Sequence, residues 1–362
     1  MKKLLTFILA LSCIAVSAQN VERGQVTDAR TLTMVNKLMP TSNPYFRLDA
    51  EKYPGMSEGE KLQATYSAGL VVAFMTDSPY IGVDVDYLKM GSGDCSPNLA
   101  VRGFDLYMKD KDGDWKWAGG GWPTRGKECK WNRIDLIQDA APGCHECLLY
   151  LPLFSSLNGL KIVTAEGSEV KPLDNPFKNR IAVFGSSYTH GSGASRAAMA
   201  YPAQLERMTG LQLINMGFAG NCKLQQYFAT ALLEADVDAY VFDAFSNPGP
   251  KEVEEKLIPF IERFTSEKPG IPLIFVQTVR REKRNFSDAY EAREALKMST
   301  ADSLMRKAVA EYKDVYWIDT IDVSEGDNEC TTDGSHPDSH GYRLWAESLV
   351  APLNAILSKY GL

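Results

Sequence analysis

The sequence lacks several features that would assign it to a class at once. Beyond residue 16 no apolar run is long enough to cross a bilayer, so we expect no membrane-spanning helix. Acidic residues exceed basic ones, 46 against 39, which gives a formal net charge of −7. Proteins that bind nucleic acid need clustered Lys and Arg to neutralise phosphates. The charge balance therefore argues against a nucleic acid partner.

The one long apolar stretch lies at the start of the chain. Two lysines follow Met1, the apolar run extends from Leu4 to Val16, and the small residues Ser17 and Ala18 come next. This order is typical of a secretory signal peptide. We expect residues 1–18 to be removed and the protein to be exported to the periplasm or the extracellular space. Lipidation at Cys13 is the less favoured alternative.

Export would permit disulfides among the six cysteines that remain. They are Cys95, Cys129, Cys144, Cys147, Cys222 and Cys330. Cys144-His-Glu-Cys147 has the spacing of half a zinc site, but no second close pair exists, and Cys95 and Cys129 would have to complete it. We favour a disulfide or buried thiols there and expect no metal and no other cofactor. Because Cys222 and Cys330 lie near candidate site loops in sequence, we propose a bridge between them.

Residues 20–172 have the pattern of an all-β domain. Short alternating apolar runs recur between turn residues, as in a sandwich or jelly roll. The runs cover residues 70–75, 80–87, 104–108 and 148–154. Between the third run and Trp115, an Asp-Gly pair predicts a hairpin turn, and the segment lacks the glycine and distal glutamate of a calcium loop. We predict a jelly-roll-like β-sandwich.

Tryptophans are concentrated in this first half. They are Trp115, Trp117, Trp122 and Trp131. Exposed indole rings could stack on sugar faces, but large aromatic side chains more often fill a core or an interface. We therefore expect these four to fill the sandwich core or line the contact between the two halves.

Residues 178–362 have a different sequence pattern, in which short apolar strands alternate with amphipathic helices. Strands are predicted at 181–184, 211–216, 239–245, 272–277 and 315–318. Helices are predicted at 197–208, 224–234, 251–266, 290–312 and 342–360. Such alternation predicts an α/β fold, with a parallel sheet covered by helices on both faces.

Polar and glycine residues follow the strands of this half. The segments are Gly185-Ser-Ser187, Asn215-Met-Gly-Phe-Ala-Gly-Asn221, Asp243-Ala-Phe-Ser-Asn247 and, near the end, Asp333-Gly-Ser-His336. Parallel sheets bind ligands beyond the carboxyl ends of their strands. In this order the four segments resemble the blocks of the SGNH hydrolases, also called the GDSL esterase and lipase family. The resemblance covers residues 180–362 and implies a flavodoxin-like, three-layer α/β/α domain.

The resemblance also implies a role for each matching residue. Ser187 would be the nucleophile, His336 the general base and Asp333 the acid that orients it. The backbone N–H groups of Ser187 and Gly220 and the side-chain amide of Asn247 would form the oxyanion hole.

Two further comparisons with that family concern single segments. Ser186 stands where the family motif has aspartate, a departure that leaves the nucleophile intact but affects the loop around it. Gly103-Phe-Asp-Leu-Tyr107 resembles part of the β-domain that precedes this fold in bacterial carbohydrate esterases.

The segment around Ser187 differs from the nucleophile motif of another family, the α/β-hydrolases. Thr189 occupies the place of the second glycine in their Gly-x-Ser-x-Gly elbow.

Elementary chemistry accounts for the same residue types. A serine hydroxyl is a weak nucleophile near neutral pH and needs an adjacent base, for which histidine is suited without a large perturbation. An aspartate three residues before the histidine can hold one ring nitrogen while the other faces the serine. The oxyanion of an ester reaction needs preorganised hydrogen bond donors.

Other polar residues near these segments are weaker candidates for a role in the site. His190, in the nucleophile loop, is a candidate substrate contact, although a structural or solvent-facing role is favoured for it and for His340, which we place at a helix start. Arg280 and Arg281 could bind an acidic sugar, but a solvated charge cluster is the favoured interpretation.

We therefore predict an exported esterase that removes acyl groups, O-acetyl in particular, from carbohydrate through an acyl-enzyme on Ser187. The acyl and carbohydrate details are implied by the resemblance. The alternatives are a lipase or thioesterase for longer acyl chains and an inactive protein that binds glycan.

Overall fold

The computed structural model describes residues 23–123, 130–319, 321–323 and 328–362. The predicted signal peptide and Cys129 lie outside these ranges. A search of the described helices for one long and apolar enough to span a bilayer found none.

The first half is antiparallel and rich in β-strands, as predicted. Its strands are β1 (Arg23–Asp28), β2 (Thr33–Val35), β3 (Val71–Thr76), β4 (Ile81–Lys89), β5 (Phe104–Lys109), β6 (Trp115–Gly121), β7 (Asn132–Ile137), β8 (His145–Tyr150), β9 (Ser156–Ala165) and β10 (Val170–Pro172). One sheet has the order β1-β9-β4-β7, and the other has the order β10-β3-β8-β5-β6 with β2 paired to β3. The predicted hairpin joins β5 and β6, with Gly113 in its turn at φ +88°. Two short helices interrupt the strands, α1 (Glu58–Ala64) and α2 (Asn98–Arg102).

The second half is the predicted α/β unit. Its strands are β11 (Lys178–Gly185), β12 (Leu211–Gly217), β13 (Ala239–Asp243), β14 (Leu273–Val276) and β15 (Val315–Ile318). Its helices are α3 (Ser187–His190), α4 (Tyr201–Thr209), α5 (Gln226–Leu233), α6 (Pro250–Glu267), α7 (Asp288–Glu311) and α8 (Ser339–Leu357). All strand pairs are parallel, in the order β12-β11-β13-β14-β15, which is the flavodoxin-like order.

Helices cover both faces of this sheet because alternate residues of its strands are apolar on both sides. In β11, Ile181 and Val183 pack in one buried cluster with residues of α4 and α8. Ala182 and Phe184 pack in a second cluster with residues of α5, α6 and α7. Successive side chains of a strand point to opposite faces, so a continuous apolar run serves both layers.

Strand β3 of the first half shows the same alternation between two different cores. Val72 and Phe74 lie in the cluster enclosed between the two antiparallel sheets. Val71 and Ala73 lie in the cluster that also contains β11, α4 and α8. The two halves of the chain are therefore packed against one another through a shared apolar core.

A buried carboxylate reinforces this contact. Asp105, inside the Gly103-to-Tyr107 segment, accepts hydrogen bonds from Arg196 Nη1 at 2.8 Å and from the Ala198 backbone N–H at 3.0 Å. Trp117 Nε1 donates to the same carboxylate at 2.8 Å. A buried charge is tolerated only when it is paired and hydrogen-bonded, and here its partners come from both halves.

None of the four tryptophans fills the sandwich core, so that part of the prediction is wrong, but Trp115 packs against the cluster shared by the two halves, as the other part predicts. Trp117, Trp122 and Trp131 are 52%, 44% and 38% exposed. Trp117 does lie at the edge of the contact between the halves, where its indole N–H reaches Asp105. The core between the sheets is instead filled mainly by Val, Leu, Ile and Phe side chains, which carry no polar atom that needs a partner.

The predicted Cys222–Cys330 bridge is also wrong. Cys222 is a thiol without a disulfide, and it is buried in the cluster on one face of the parallel sheet. Cys330 packs in the cluster on the opposite face. Cys144 and Cys147 likewise have no disulfide, Cys144 being exposed and Cys147 buried in β8. Nearness in sequence to site loops did not indicate on which face each thiol would pack.

Candidate active site

A cleft of about 1100 Å³ lies beyond the carboxyl ends of β11, β12 and β13. Its lining includes Ser187, Gly220, Asn247, Asp333 and His336 from the second half. The first half contributes the remaining wall, from α1, the segment 92–97 and Phe154. The sheet therefore brings the four predicted segments together, and the β-rich half closes the cleft.

Ser187 is the first residue of the short helix α3, directly after β11. The preceding residue, Ser186, caps this helix, because its hydroxyl accepts a hydrogen bond from the Tyr188 N–H at 3.1 Å. The N–H of a first helical residue has no acceptor within its own helix. Ser187 thus presents both its hydroxyl and its backbone N–H at the end of the strand.

The turn around Ser187 is fixed by a buried carboxylate, Asp243, at the end of β13. The hydroxyls of Ser186 and Thr189 donate to its Oδ2 at 2.9 Å and 3.0 Å. Burial raises the pKa of Asp243 to about 6, against the opposing effect of these hydrogen bonds. Serine at position 186 is therefore compatible with an ordered loop, because the acid is supplied by the neighbouring strand.

Ser187, His336 and Asp333 form one chain of hydrogen bonds. The Ser187 Oγ and His336 Nε2 atoms are 3.0 Å apart, and His336 Nδ1 lies 2.9 Å from Asp333 Oδ2. The N–H groups of Ser335 and His336 donate to Asp333 Oδ1 at 2.9 Å and 2.8 Å. Burial opposes ionisation of Asp333, but these backbone hydrogen bonds and the imidazole outweigh it and lower its pKa to about 2. An ionised Asp333 fixes the ring with its proton on Nδ1 and leaves Nε2 to accept a proton.

Arg281 connects the loop that carries Asp333 and His336, called the histidine loop below, to the turn around Ser187. Its Nε donates to the Tyr188 hydroxyl at 2.9 Å, and that hydroxyl donates to the Ser335 carbonyl oxygen at 2.8 Å. Its Nη1 pairs with the buried Glu294 at 2.7 Å. Arg281 is therefore part of a buried network, and Arg280 pairs with Glu291. The prediction of a solvated charge cluster is therefore wrong for Arg281, but it is not contradicted for Arg280, because the Arg280 and Glu291 side chains are 32% and 37% exposed.

The predicted donors of an oxyanion hole line the same cleft. The turn of residues 218–221 closes with a hydrogen bond of 2.9 Å from the Asn221 N–H to the Phe218 carbonyl oxygen. Gly220 has φ +74°, as the third residue of a type II turn requires. The Cys222 N–H donates to Asn247 Oδ1 at 3.2 Å, so the amide nitrogen of Asn247 is the end that can donate into the cleft.

A side chain from the first half holds the peptide that carries the Gly220 N–H. Gln63 Nε2, on α1, donates to the Ala219 carbonyl oxygen at 2.9 Å. The C=O and N–H of a trans peptide point in opposite directions. Fixing the Ala219 carbonyl therefore also fixes the direction of the Gly220 N–H.

Buried Arg47 in turn holds α1 against the end of β12. Its Nη2 donates to the Gln63 carbonyl oxygen at 2.8 Å and its Nη1 to the Gly217 carbonyl oxygen at 2.7 Å. Burial lowers the pKa of Arg47 to about 9, with a small opposing effect from Tyr66. The first half thus reaches the candidate oxyanion hole through a chain of defined contacts.

The remaining candidate histidines lie apart from this chain. His190 is fully buried, and its ring stacks on Phe154 at 4.2 Å with Nε2 2.7 Å from the Leu153 carbonyl oxygen. Burial, then the nearby Arg47, lowers the pKa of His190 well below its usual value. His190 does not line the cleft, so its position argues against the predicted substrate contact. His340 is exposed in the first turn of α8, the helix start at which it was predicted.

Sequence reasoning missed the residues that the first half contributes. Gln63 and Cys95 both line the cleft, and Cys95 Sγ lies 3.7 Å from His336 Nδ1. Neither residue belongs to a recognisable motif. Gln63 lies in α1 and Cys95 in a loop, and the sequence does not indicate which side of this half docks against the other.

Family models match both halves of the chain. One, described as the GDSL-like Lipase/Acylhydrolase family, matches residues 178–353. A second, GxDLY, described as the N-terminus of SGNH-hydrolase-type esterases, matches residues 25–170. A search among curated proteins found no match.

Solved structures with the same fold include close and distant ones. A protein from Bacteroides ovatus ATCC 8483, described as a GDSL-like lipase, is 31% identical with a TM-score of 0.87, over 92% of this chain and 98% of that chain. The salicylyl-acyltransferase SsfX3 is 17% identical with a TM-score of 0.70, over 93% and 98%. A family two carbohydrate esterase from Clostridium thermocellum is 12% identical with a TM-score of 0.56, over 80% and 93%. The first of these and the family models together establish that this chain belongs to the GDSL-like lipase and acylhydrolase family, an esterase family of SGNH fold.

Proposed function

We propose that this protein is an exported serine esterase that hydrolyses acyl esters, O-acetyl esters in particular, on carbohydrate. The observation that carries the proposal is the contact of 3.0 Å between Ser187 Oγ and His336 Nε2, with Asp333 on the other ring nitrogen. A hydroxyl, a base and an orienting acid in this order are what nucleophilic ester cleavage requires.

In the proposed reaction His336 Nε2 takes the Ser187 proton as Oγ attacks the ester carbonyl carbon. The N–H groups of Ser187 and Gly220 and the Asn247 amide stabilise the oxyanion. His336 then protonates the departing alcohol, which leaves an acyl group on Ser187. Water, deprotonated by the same imidazole, attacks that ester and releases the acid and the free serine.

The carbohydrate part of the proposal is supported by the size and polarity of the cleft. A volume of about 1100 Å³ leaves room for sugar rings beside a small acyl group. Its walls include Ser92, Asp94, Ser96 and Thr332, whose side chains can hydrogen bond to hydroxyl groups. A distant structural relative from Clostridium thermocellum was solved in complex with cellohexaose. Long acyl chains would favour a more apolar lining.

Turnover of p-nitrophenyl acetate and of longer p-nitrophenyl esters tests the reaction. We expect the acetate to be preferred, and Ser187→Ala to lower kcat by on the order of 10⁶-fold, as loss of a triad serine does. Ser195→Ala is the matched control, because that hydroxyl contacts Ser339 instead of His336. Equal turnover by Ser187→Ala and the wild type would overturn the assignment.

A panel of acetylated polysaccharides then tests the substrate class. Release of acetate identifies the preferred glycan. Preference for long esters would instead indicate a lipase or thioesterase, and glycan binding without turnover would indicate an inactive binding protein.

Export predicts that the protein recovered from outside the cytoplasm has the mass of a chain that starts at Gln19. A mass that includes residues 1–18 would contradict this prediction.

A further inference from the structure

We propose that Cys95, His336 and Asp333 form an inhibitory binding site for a thiophilic divalent cation such as Zn²⁺. One ligand atom from each residue lies within 4.8 Å of the other two. Thiolate, imidazole and carboxylate are the three ligand types that zinc binds in proteins. Cys95 comes from the first half and the other two residues from the histidine loop.

The distances suit a tetrahedral ion with one open position. Bonds of about 2.3 Å to sulfur and about 2.05 Å to nitrogen, at a tetrahedral angle, place the two ligand atoms about 3.6 Å apart. The observed separation of Cys95 Sγ and His336 Nδ1 is 3.7 Å. Asp333 Oδ2 is 2.9 Å from Nδ1, so the carboxylate must withdraw by about 0.5 Å to make the same angle. All three residues line the cleft, which gives the ion a path from solvent.

Cys95 is held against the histidine loop by the backbone of Gly193. The Gly193 N–H donates to Ser96 Oγ at 2.9 Å, and the Gly193 carbonyl oxygen accepts from Thr332 Oγ1 at 3.1 Å. One peptide segment therefore connects the neighbour of Cys95 to the loop that carries Asp333 and His336. Ligands that are already in place lose little conformational entropy on binding an ion.

Binding would stop the proposed reaction for a specific reason. The ion takes the place of the proton on His336 Nδ1, so the neutral imidazole carries its proton on Nε2 and cannot accept one from Ser187. The Cys95 thiol loses its proton to solvent, so one proton is released for each ion bound. The charges of the thiolate and of Asp333 balance the charge of the ion.

The inhibition rests on the proposed function, but the binding does not, so the two are measured separately. Zinc binding is measured by titration calorimetry on the full chain carrying Ser187→Ala, which keeps all three ligands and needs no turnover. Co²⁺ is the spectroscopic probe, because thiolate coordination adds a ligand-to-metal absorption band. We expect binding of one ion, a band with Co²⁺, and loss of both when Cys95→Ser is added.

Activity assays on the otherwise unchanged protein complete the test. We expect zinc to inhibit turnover, a chelator to restore it, and Mg²⁺, which prefers oxygen ligands, to have no effect. Cys95→Ser should raise the zinc concentration for half inhibition at least about tenfold, since loss of a ligand costs no less than loss of an outer hydrogen bond partner. Cys144→Ser, which changes an exposed thiol outside the cleft, should keep the wild-type sensitivity.

Two results would overturn the proposal, and a third would separate it from the proposed function. Equal zinc affinity with and without Cys95 would place the ion elsewhere. Absence of binding at micromolar zinc to the Ser187→Ala chain would show that the three ligands do not form a site. If binding is as expected but the wild type hydrolyses no ester, the proposed function fails and the metal site remains.

Discussion

Position 186 shows how one residue can depart from a family motif while its surroundings preserve the geometry. Aspartate is the usual residue there, and this chain has serine. The Ser186 hydroxyl accepts from the Tyr188 N–H and donates to Asp243. The carboxylate thus enters the turn from the adjacent strand, and α3 still begins with Ser187 facing the cleft.

Acidification should not reduce esterase activity through the two carboxyl groups of the site, Asp333 and Asp243. The pKa of Asp333 is about 2, so that carboxylate stays ionised in the range where proteins are assayed. The pKa of Asp243 is raised to about 6, but its proton would go to Oδ1, which has no hydrogen bond partner, while Oδ2 keeps its donors. We therefore expect neither carboxyl group to control activity, so that log kcat/KM for p-nitrophenyl acetate falls with a slope no steeper than one below neutral pH.

The measurement is kcat/KM between about pH 4 and about pH 8, with circular dichroism at each pH to confirm folding. A slope of two would contradict the expectation, because it would require a second group such as Asp243 to control activity.

The role of α1 in the site could not be inferred from its own residues. A capping box at Ser57 and Glu60 starts it, and Glu60 Oε1 also accepts from the Tyr227 hydroxyl of the second half at 2.8 Å. Arg47 holds its other end through the Gln63 carbonyl. The helix is therefore fixed to the α/β half although the sequence places it in the β-rich half.

Gln63→Leu should lower kcat without a comparable change in stability. The substitution frees the Ala219 carbonyl from its contact with α1 and lets the Gly220 N–H turn away from the oxyanion. Loss of an oxyanion donor costs about 10²–10³-fold, and an indirect loss should cost less, roughly tenfold. KM should change less than kcat, because the contact strengthens only as charge develops.

Lys61→Ala is the control on the same helix, since that side chain pairs with Glu58 and lies outside the cleft. Gln63→Glu distinguishes the mechanism further, because a carboxylate cannot donate to the Ala219 carbonyl and should not restore kcat. Wild-type kcat in Gln63→Leu would refute the role of the contact.

For the whole molecule, the contact between the halves contains a buried carboxyl, Glu206. Its Oε2 accepts from Asn36 Nδ2 at 2.9 Å and from the Leu213 N–H at 3.1 Å, and Tyr150 donates to Oε1 at 3.4 Å. Burial raises the pKa of Glu206 from 4.5 to about 8, because these hydrogen bonds only partly offset desolvation. The folded protein therefore holds a proton that the unfolded chain releases.

This proton makes stability depend on pH. Between the unfolded and folded pKa values, the native state binds more protons, so the free energy of unfolding falls as pH rises. From about pH 5 to about pH 8 we expect the wild-type Tm to decline by a few degrees relative to the Tm of Glu206→Gln, because an amide cannot ionise. Glu255→Gln, at an exposed position of α6, should follow the wild type. Identical profiles for Glu206→Gln and the wild type would contradict this.

Features that depend on local sequence were predicted correctly, whereas features that depend on contacts between distant segments of the chain were not. The strands of the second half and the segments around Ser187 and His336 were predictable, because apolar runs fix a parallel sheet and its carboxyl ends meet at one edge. Gln63 and Cys95 were not, since they reach the cleft only through docking of the halves. The Cys222–Cys330 bridge failed for a different reason: each cysteine is close to a site loop in sequence, but the two pack on opposite faces of the parallel sheet.

Strand β3, whose alternate residues belong to two cores, limits how the chain can be shortened. Cutting after residue 172 would expose Val71 and Ala73 to water on one fragment. On the other fragment it would expose the apolar side chains of α4 and α8 that pack in the same cluster. An attempt to obtain a minimal enzyme from the α/β half alone would therefore yield an aggregation-prone fragment. Any smaller version of this protein has to retain both parts.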